Sequence, residues 1–178
     1  NDYGNLNFQG NFEVHNFDTN KTSSFLTNDI NWVSKNSLFD NGLNTQILGN
    51  LRNINYSAKN IDKYKDDTTN ELFGAIGYLA KLDFEKTKNE SRHFLTPKMF
   101  VRYAPGEMRK ETAGRTMGVT NVFMINRMKN KKKNYETGLT ATLGLDYKLQ
   151  ANEKKFDFSV AQVINLSLIH ISEPTRRT

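Results

Sequence analysis

Residues 135–150 read YETGLTATLGLDYKLQ, and their alternation decides the fold. One file holds Tyr135, Thr137, Leu139, Ala141, Leu143, Leu145, Tyr147 and Leu149. The other holds Glu136, Gly138, Thr140, Thr142, Gly144, Asp146, Lys148 and Gln150. Successive side chains of an extended strand point to opposite faces, whereas a helix would scatter both sets around its surface. The stretch is therefore a long strand with one apolar face and one polar or small face.

The same period of two recurs upstream. Leu6, Phe8, Gly10, Phe12 and Val14 alternate with Asn5, Asn7, Gln9, Asn11, Glu13 and His15. Leu43, Thr45, Ile47, Gly49 and Leu51 alternate with Asn44, Gln46, Asn50 and Arg52, and Leu72, Gly74, Ile76, Tyr78, Ala80, Leu82 and Phe84 stand opposite Glu71, Lys81 and Asp83. Weaker alternation marks 23–35, 93–103 and 155–165, and helical periodicity is absent throughout. The expected fold is all-β: an antiparallel up-and-down meander with strands at 3–16, 23–35, 43–54, 70–85, 93–103, 134–150 and 155–165. Residues 119–127 are a candidate eighth strand.

Strand length points to a membrane. Fifteen residues at about 3.3 Å each reach roughly 50 Å, which crosses a hydrocarbon core of about 30 Å even at a tilt near 45°. Aromatic residues lie toward the ends of several files (Tyr135, Tyr147, Tyr78, Phe84, Trp32, Tyr103), where the girdles of a transmembrane barrel would fall. Short connections at 36–42, 86–92 and 151–154 alternate with those at 17–22, 55–69 and 104–133, two of which are long. Bacterial outer-membrane barrels show this contrast between short periplasmic turns and longer extracellular loops. The expectation is part of a large transmembrane β-barrel, seen alone as an open curved sheet of about seven to eight long strands.

Composition excludes other classes. The 178 residues contain no Cys, which rules out disulfide scaffolds and thiolate metal sites. No apolar run approaches the roughly 18 residues of a membrane helix. The net charge of +6 comes from Lys and Arg spread through turn-like segments, without the basic stripe and stacked aromatics of a nucleic-acid-binding face. Three His (His15, His93, His170) show no nucleophile arrangement, so no catalytic residue is assigned. Asp62, Asp66, Asp67 and Glu71 lack the spacing and central Gly of a calcium loop and are expected to be solvated. No metal or cofactor is expected.

Several motifs in order resemble one family. Leu95-Thr96-Pro97-Lys98, running to Tyr103-Ala104-Pro105, is similar to an L-x-P-[RK] strand ending in an aromatic and a proline. Asn121-Val122-Phe123 and Asn126-Arg127 match an N-[LV]-F…N-R loop element. Glu136-Thr137-Gly138 matches an E-x-G strand opening, followed by Gly144-Leu145-Asp146-Tyr147. Phe158-Ser159-Val160-Ala161-Gln162-Val163 is similar to F-x-[LV]-G-Q-V. Together these resemble the barrel domain of the outer-membrane lipopolysaccharide-assembly protein LptD, over residues 94–163. The chain departs from the pattern at Met128-Lys129, where G-x-D-R is usual, at Thr96, where an acid is common, and at Ala161, where Gly is.

The resemblance implies a non-enzymatic segment of a lipopolysaccharide translocon in the bacterial outer membrane. Its partners would be lipopolysaccharide, outer-membrane lipid, an LptE-like plug lipoprotein and a periplasmic bridge protein. The alternatives are another outer-membrane barrel, such as a porin-like passive channel with an inward constriction loop, an outer-membrane hydrolase, or a soluble β-rich adhesin. On the barrel reading, Glu136, Thr140, Thr142, Asp146 and Lys148 line the lumen, while Leu139, Leu143, Leu145 and Leu149 face lipid. An arginine at position 142 should then be far milder than one at 143. Lys129, Lys131, Lys132 and Lys133 are candidate contacts for lipopolysaccharide phosphates, which Lys meets as a point charge. Residues 1–165 are expected to be an internal piece of the barrel domain. Residues 166–178, which resemble a translated sequencing adapter, are expected to be a non-native tail.

Overall fold

In the computed structural model, alternation becomes an antiparallel sheet in which each long strand pairs with its neighbour in the chain. The structure describes residues 3–17, 20–61, 64, 68–109, 117–128, 133–151 and 154–166. The long strands are β1 (Asn5–Phe17), β2 (Lys21–Val33), β4 (Leu43–Lys59), β5 (Thr69–Leu82), β7 (Ser91–Ala104), β8 (Gly138–Ala151) and β9 (Lys154–Asn165). Two short strands, β3 (Ser37–Leu38) and β6 (Phe84–Lys88), pair with β4 and β7. The order β1-β2-β4-β5-β7-β8-β9 is a meander, curled into an open half-barrel of seven strands. Residues 119–127 are turns rather than an eighth strand, so the expected alternation of connections between the two ends survives.

Register carries the two-faced pattern unbroken across the sheet. Leu143 pairs with Met99, Met99 stands beside Ala80, and Ala80 beside Thr45. On the opposite face Thr140 pairs with Arg102, which stands beside Gly77. Every strongly exposed large apolar residue of the seven long strands, Phe17 excepted, lies on the first, outer face. They include Leu6, Phe8, Phe12, Ile30, Leu51, Leu72, Ile76, Leu143, Phe158 and Val160. The inner face instead holds the buried charges Asp29, Arg52 and Arg102.

The pattern inverts at the end that carries the long connections. On β4 the outer file is Leu43, Thr45, Ile47, Gly49 and Leu51, then becomes Asn53, Asn55, Ser57 and Lys59. The inner file changes the other way, ending in Ile54, Tyr56 and Ala58. Across the outer face, Asn53 donates to Asn70 (3.1 Å) and Asn70 donates to Asn55 (2.5 Å). Inside, Phe25, Ile54 and Tyr56 form a small core with Tyr64 and Phe73 against it. The apolar outer stretch of β4 is thus residues 43–51, and that of β8 runs from Leu139 to Leu149. These lengths match the 9–11 residues of a tilted transmembrane strand. At the opposite end β6 and β7 join through Asn89 and Glu90, both at positive φ, as a two-residue hairpin of the I′ kind requires.

Candidate functional site

Residues 117–128 and 133–137 of the connection between β7 and β8 lie against the inner face of the half-barrel. These two stretches reach side chains from β1 to β8, which a flat sheet would hold too far apart. Hydrophobic contact holds the first of them: Ile125 and Phe123 pack against Leu48, Phe100 and Leu79. Two glycines make room. A Cβ on Gly77 would come within 2.5 Å of the Phe100 ring, and one on Gly144 within 2.5 Å of Phe123.

Charged groups then fix the segment. Arg127 donates from Nε and Nη2 to the two carboxylate oxygens of Glu136 (2.6 and 3.0 Å). It also donates to the hydroxyls of Thr140 (2.9 Å) and Thr142 (3.1 Å) on β8. Both side chains of the pair are almost fully enclosed, at 0% and 5% exposure. Arg102 on β7 donates to the carbonyls of Ile125 and Glu136, each at 2.7 Å. On the far side Arg52 forms a two-pronged pair with Asp29 (2.7 Å each) and donates to the Asn134 carbonyl (3.0 Å).

Tyr135 sits at the centre. It exchanges backbone hydrogen bonds with Arg109, stacks on Phe73 (centroids 4.9 Å apart) and donates its hydroxyl to Asn50 (2.8 Å). The Arg52 and Arg102 guanidinium carbons lie 5.9 and 5.6 Å from its ring centroid. Burial raises the phenol above its ordinary value, so it stays a neutral donor. This corrects the sequence reading, which set Tyr135 in the outer apolar file of a strand starting at 134. The strand starts at Gly138, whose φ of +101° redirects the chain, so parity on β8 does not extend back to Tyr135.

The remaining expected residues fall as follows. Glu136 is on the inner side but precedes the strand. Thr140 and Thr142 are buried beneath the inner segment, and Asp146 is half-buried with Lys98 as ion partner. Lys148 is exposed at the short-connection end. Thr142 therefore cannot be the tolerant position expected of it: it has no exposure and accepts from Arg127, so an arginine there meets both a clash and a like charge. Leu139, Leu143, Leu145 and Leu149 share the outer face, Leu143 the most exposed. Lys133 turns inward, 3.0 Å from Glu13 and 4.0 Å from the Phe25 ring centroid. Lys129, Lys131, Lys132, Asp62, Asp66, Asp67, His170 and the tail beyond Leu166 lie outside the described residues. His15 sits by Glu13 (3.6 Å), His93 Nδ1 by the Tyr147 hydroxyl (2.9 Å), and Glu71 is paired with Arg109.

Sequence reasoning missed Asp29, Arg52, Arg102, Asn50 and Asn134. One signal was available: Asp29 and Arg52 carry opposite charges at inner positions of successive strands. Among the described residues no group of three His, Cys, Asp or Glu could hold a metal ion. The arrangement offers fixed hydrogen-bond donors, acceptors and charges on the inner face of the curled sheet. Comparison with known proteins finds no family model and no curated protein that matches the chain.

Proposed function

We propose that this sheet is part of the wall of an outer-membrane β-barrel, and that the barrel is a lipopolysaccharide translocon of the LptD kind that makes and breaks no bonds. The single observation that carries the membrane reading is the outer face. A band of exposed Leu, Ile, Val, Phe and Tyr spans all seven long strands, while the buried charges collect inside. In water such a face is an aggregation liability; in hydrocarbon it is the required surface. The band ends where β4 and β5 exchange Leu for the Asn53, Asn55 and Asn70 ladder, as at a lipid–water boundary. On this reading Leu139, Leu143, Leu145 and Leu149 touch lipid, and Asp146 and Lys148 face the lumen. On this reading the edges of β1 and β9 are paired with further strands, because an open edge cannot persist in hydrocarbon.

The translocon reading is supported by the order of the family-like motifs and by the meeting of two of them, since Arg127 of one element grips Glu136 of the next. Lipopolysaccharide, an LptE-like lipoprotein and a periplasmic bridge protein are the partners that follow from it. A porin-like channel is the second reading, favoured by the inward position of residues 117–128 and 133–137, the form a constriction loop takes. Full-length protein in liposomes separates the two. A translocon delivers labelled lipopolysaccharide to the outer leaflet when supplied with its bridge and conducts ions poorly. Steady conductance without delivery establishes the porin.

A further inference from the structure

At the short-connection end the outer face changes character over three rungs that cross β6, β7, β8 and β9. The first rung is Phe84, Leu95, Tyr147 and Phe158, aligned by register and wholly apolar or aromatic. The second, one step nearer the turns, is Lys86, His93, Leu149 and Phe156. The third is Lys88, Ser91, Ala151 and Lys154. Rungs two residues apart are spaced by about 7 Å, so within about 14 Å the face passes from aromatic to cationic.

Charge is sorted between the two faces of this corner. The carboxylates of the four strands, Glu85, Asp146 and Asp157, all take inner positions, where Glu85 pairs with Arg92 and Asp146 with Lys98. Lys86, Lys88 and Lys154 stand exposed on the outer face, and among the described residues none of them has an ion partner. Two carboxylates lie in the adjoining turns, Glu90 and Glu153 (the latter outside the described residues), and the three lysines outnumber them. Between Lys88 and Lys154 the third rung holds only the small Ser91 and Ala151. With strands about 4.8 Å apart, the two lysines frame a saddle about 14 Å wide. Beneath it His93 Nδ1 and the Tyr147 hydroxyl are 2.9 Å apart, and the Tyr147 and Phe156 rings meet at 59°.

We infer that this saddle binds an anionic glycerophospholipid, its phosphate between Lys88 and Lys154 and its acyl chains along Phe156, Phe158 and Leu95. The order of the rungs is the order of the lipid: phosphate, glycerol esters, hydrocarbon. Lysine meets phosphate as a point charge, and its stem covers apolar surface while the ammonium reaches the boundary. Tyr147 and His93, apolar bodies with polar tips, stand at the level of the esters, where such side chains gather in membrane proteins. A neutral sugar would leave the lysines without a counter-charge. An acidic protein would have to cover an aromatic rung that continues the lipid-facing band. The opposite boundary offers the amides of Asn53, Asn55 and Asn70 instead. The inference rests on the membrane reading proposed above and adds to it which lipid is held, and where.

The test folds full-length protein into phosphatidylcholine vesicles containing a trace of phosphatidylglycerol with a photoreactive acyl chain, and maps the labelled peptides by mass spectrometry. Insertion of each variant is checked by heat-modifiable gel mobility. Label is expected to concentrate on residues 84–95 and 147–158. It should fall roughly tenfold when Lys88→Gln and Lys154→Gln are combined, and persist when both lysines are replaced by Arg. Three results overturn the inference and leave the inserted barrel standing: label spread evenly over the wall, label unchanged by the glutamine pair, or label displaced by lipopolysaccharide as readily as by unlabelled phosphatidylglycerol. Failure of the unaltered protein to insert overturns the inference and the membrane reading together.

Discussion

Glu136→Ala removes the carboxylate that takes two of the four hydrogen bonds donated by Arg127 and leaves the guanidinium with two neutral hydroxyls. The site cannot flood easily, since Arg127 is enclosed between the inner segment and β8. Breaking one partner of a buried pair costs about 3–5 kcal/mol, chiefly because a charge is left buried without its counterion. At tenfold per 1.4 kcal/mol, the population with the inner segment undocked rises by roughly two to three and a half orders of magnitude. Two assays read this: urea unfolding of the protein folded into phospholipid vesicles, and protease cleavage within 117–128. The control is the double substitution Arg127→Met with Glu136→Leu, which removes both charges and should recover most of the loss. A cost below about 1 kcal/mol for Glu136→Ala, or a double variant no better than the single one, would refute the assignment of this pair as the fastener.

On the outer face, Leu143→Arg should cost about 2–4 kcal/mol in the same vesicles, whereas Ser159→Arg, on the inner face opposite Asp146, should be much milder. Equal tolerance would remove the case for lipid on the outer side. Gly144→Ala forces the Phe123 ring aside and should cost about 1–3 kcal/mol, as overpacking does, with Phe123→Ala restoring part of it. At the short-connection end, the Thr96 hydroxyl, helped by Lys81, holds the Asp83 carboxyl below its ordinary value. Its folded value is the depressed one, so its contribution is full above the unfolded carboxylate value and fades as pH falls through the folded one. Carbon-detected NMR titration should show the Asp83 midpoint rising in Thr96→Val; an unmoved midpoint contradicts that cause.

The strands were legible because their pattern has a period of two and their outer file is almost uniformly apolar. Leu139 to Leu149 and Leu43 to Leu51 announce themselves. The ends were less legible where the pattern inverts: past Leu51 the apolar side chains of β4 (Ile54, Tyr56, Ala58) face inward. A reading keyed to one apolar file therefore stops at 54, although the strand runs to Lys59. The inner segment was hidden for another reason. Arg52 and Arg102 are unremarkable in sequence, and their partners, the Asn134, Ile125 and Glu136 carbonyls, lie on backbone that carries no side-chain signal. Glu136 and Arg127 were visible as motif residues, but nothing in their spacing said that they touch.

The bonds that seat the inner segment differ widely in the chain separation they span. Arg127 reaches Glu136, Thr140 and Thr142 across 9, 13 and 15 residues, whereas Arg52 to Asn134 and Tyr135 to Asn50 span 82 and 85. Closing short loops costs less entropy than closing long ones, so the segment is expected to bind β8 before it meets β4. On that order it would serve as a mandrel: a hairpin-like unit of β7, the segment and β8 presents a curved surface for the strands nearer the N-terminus to wrap around.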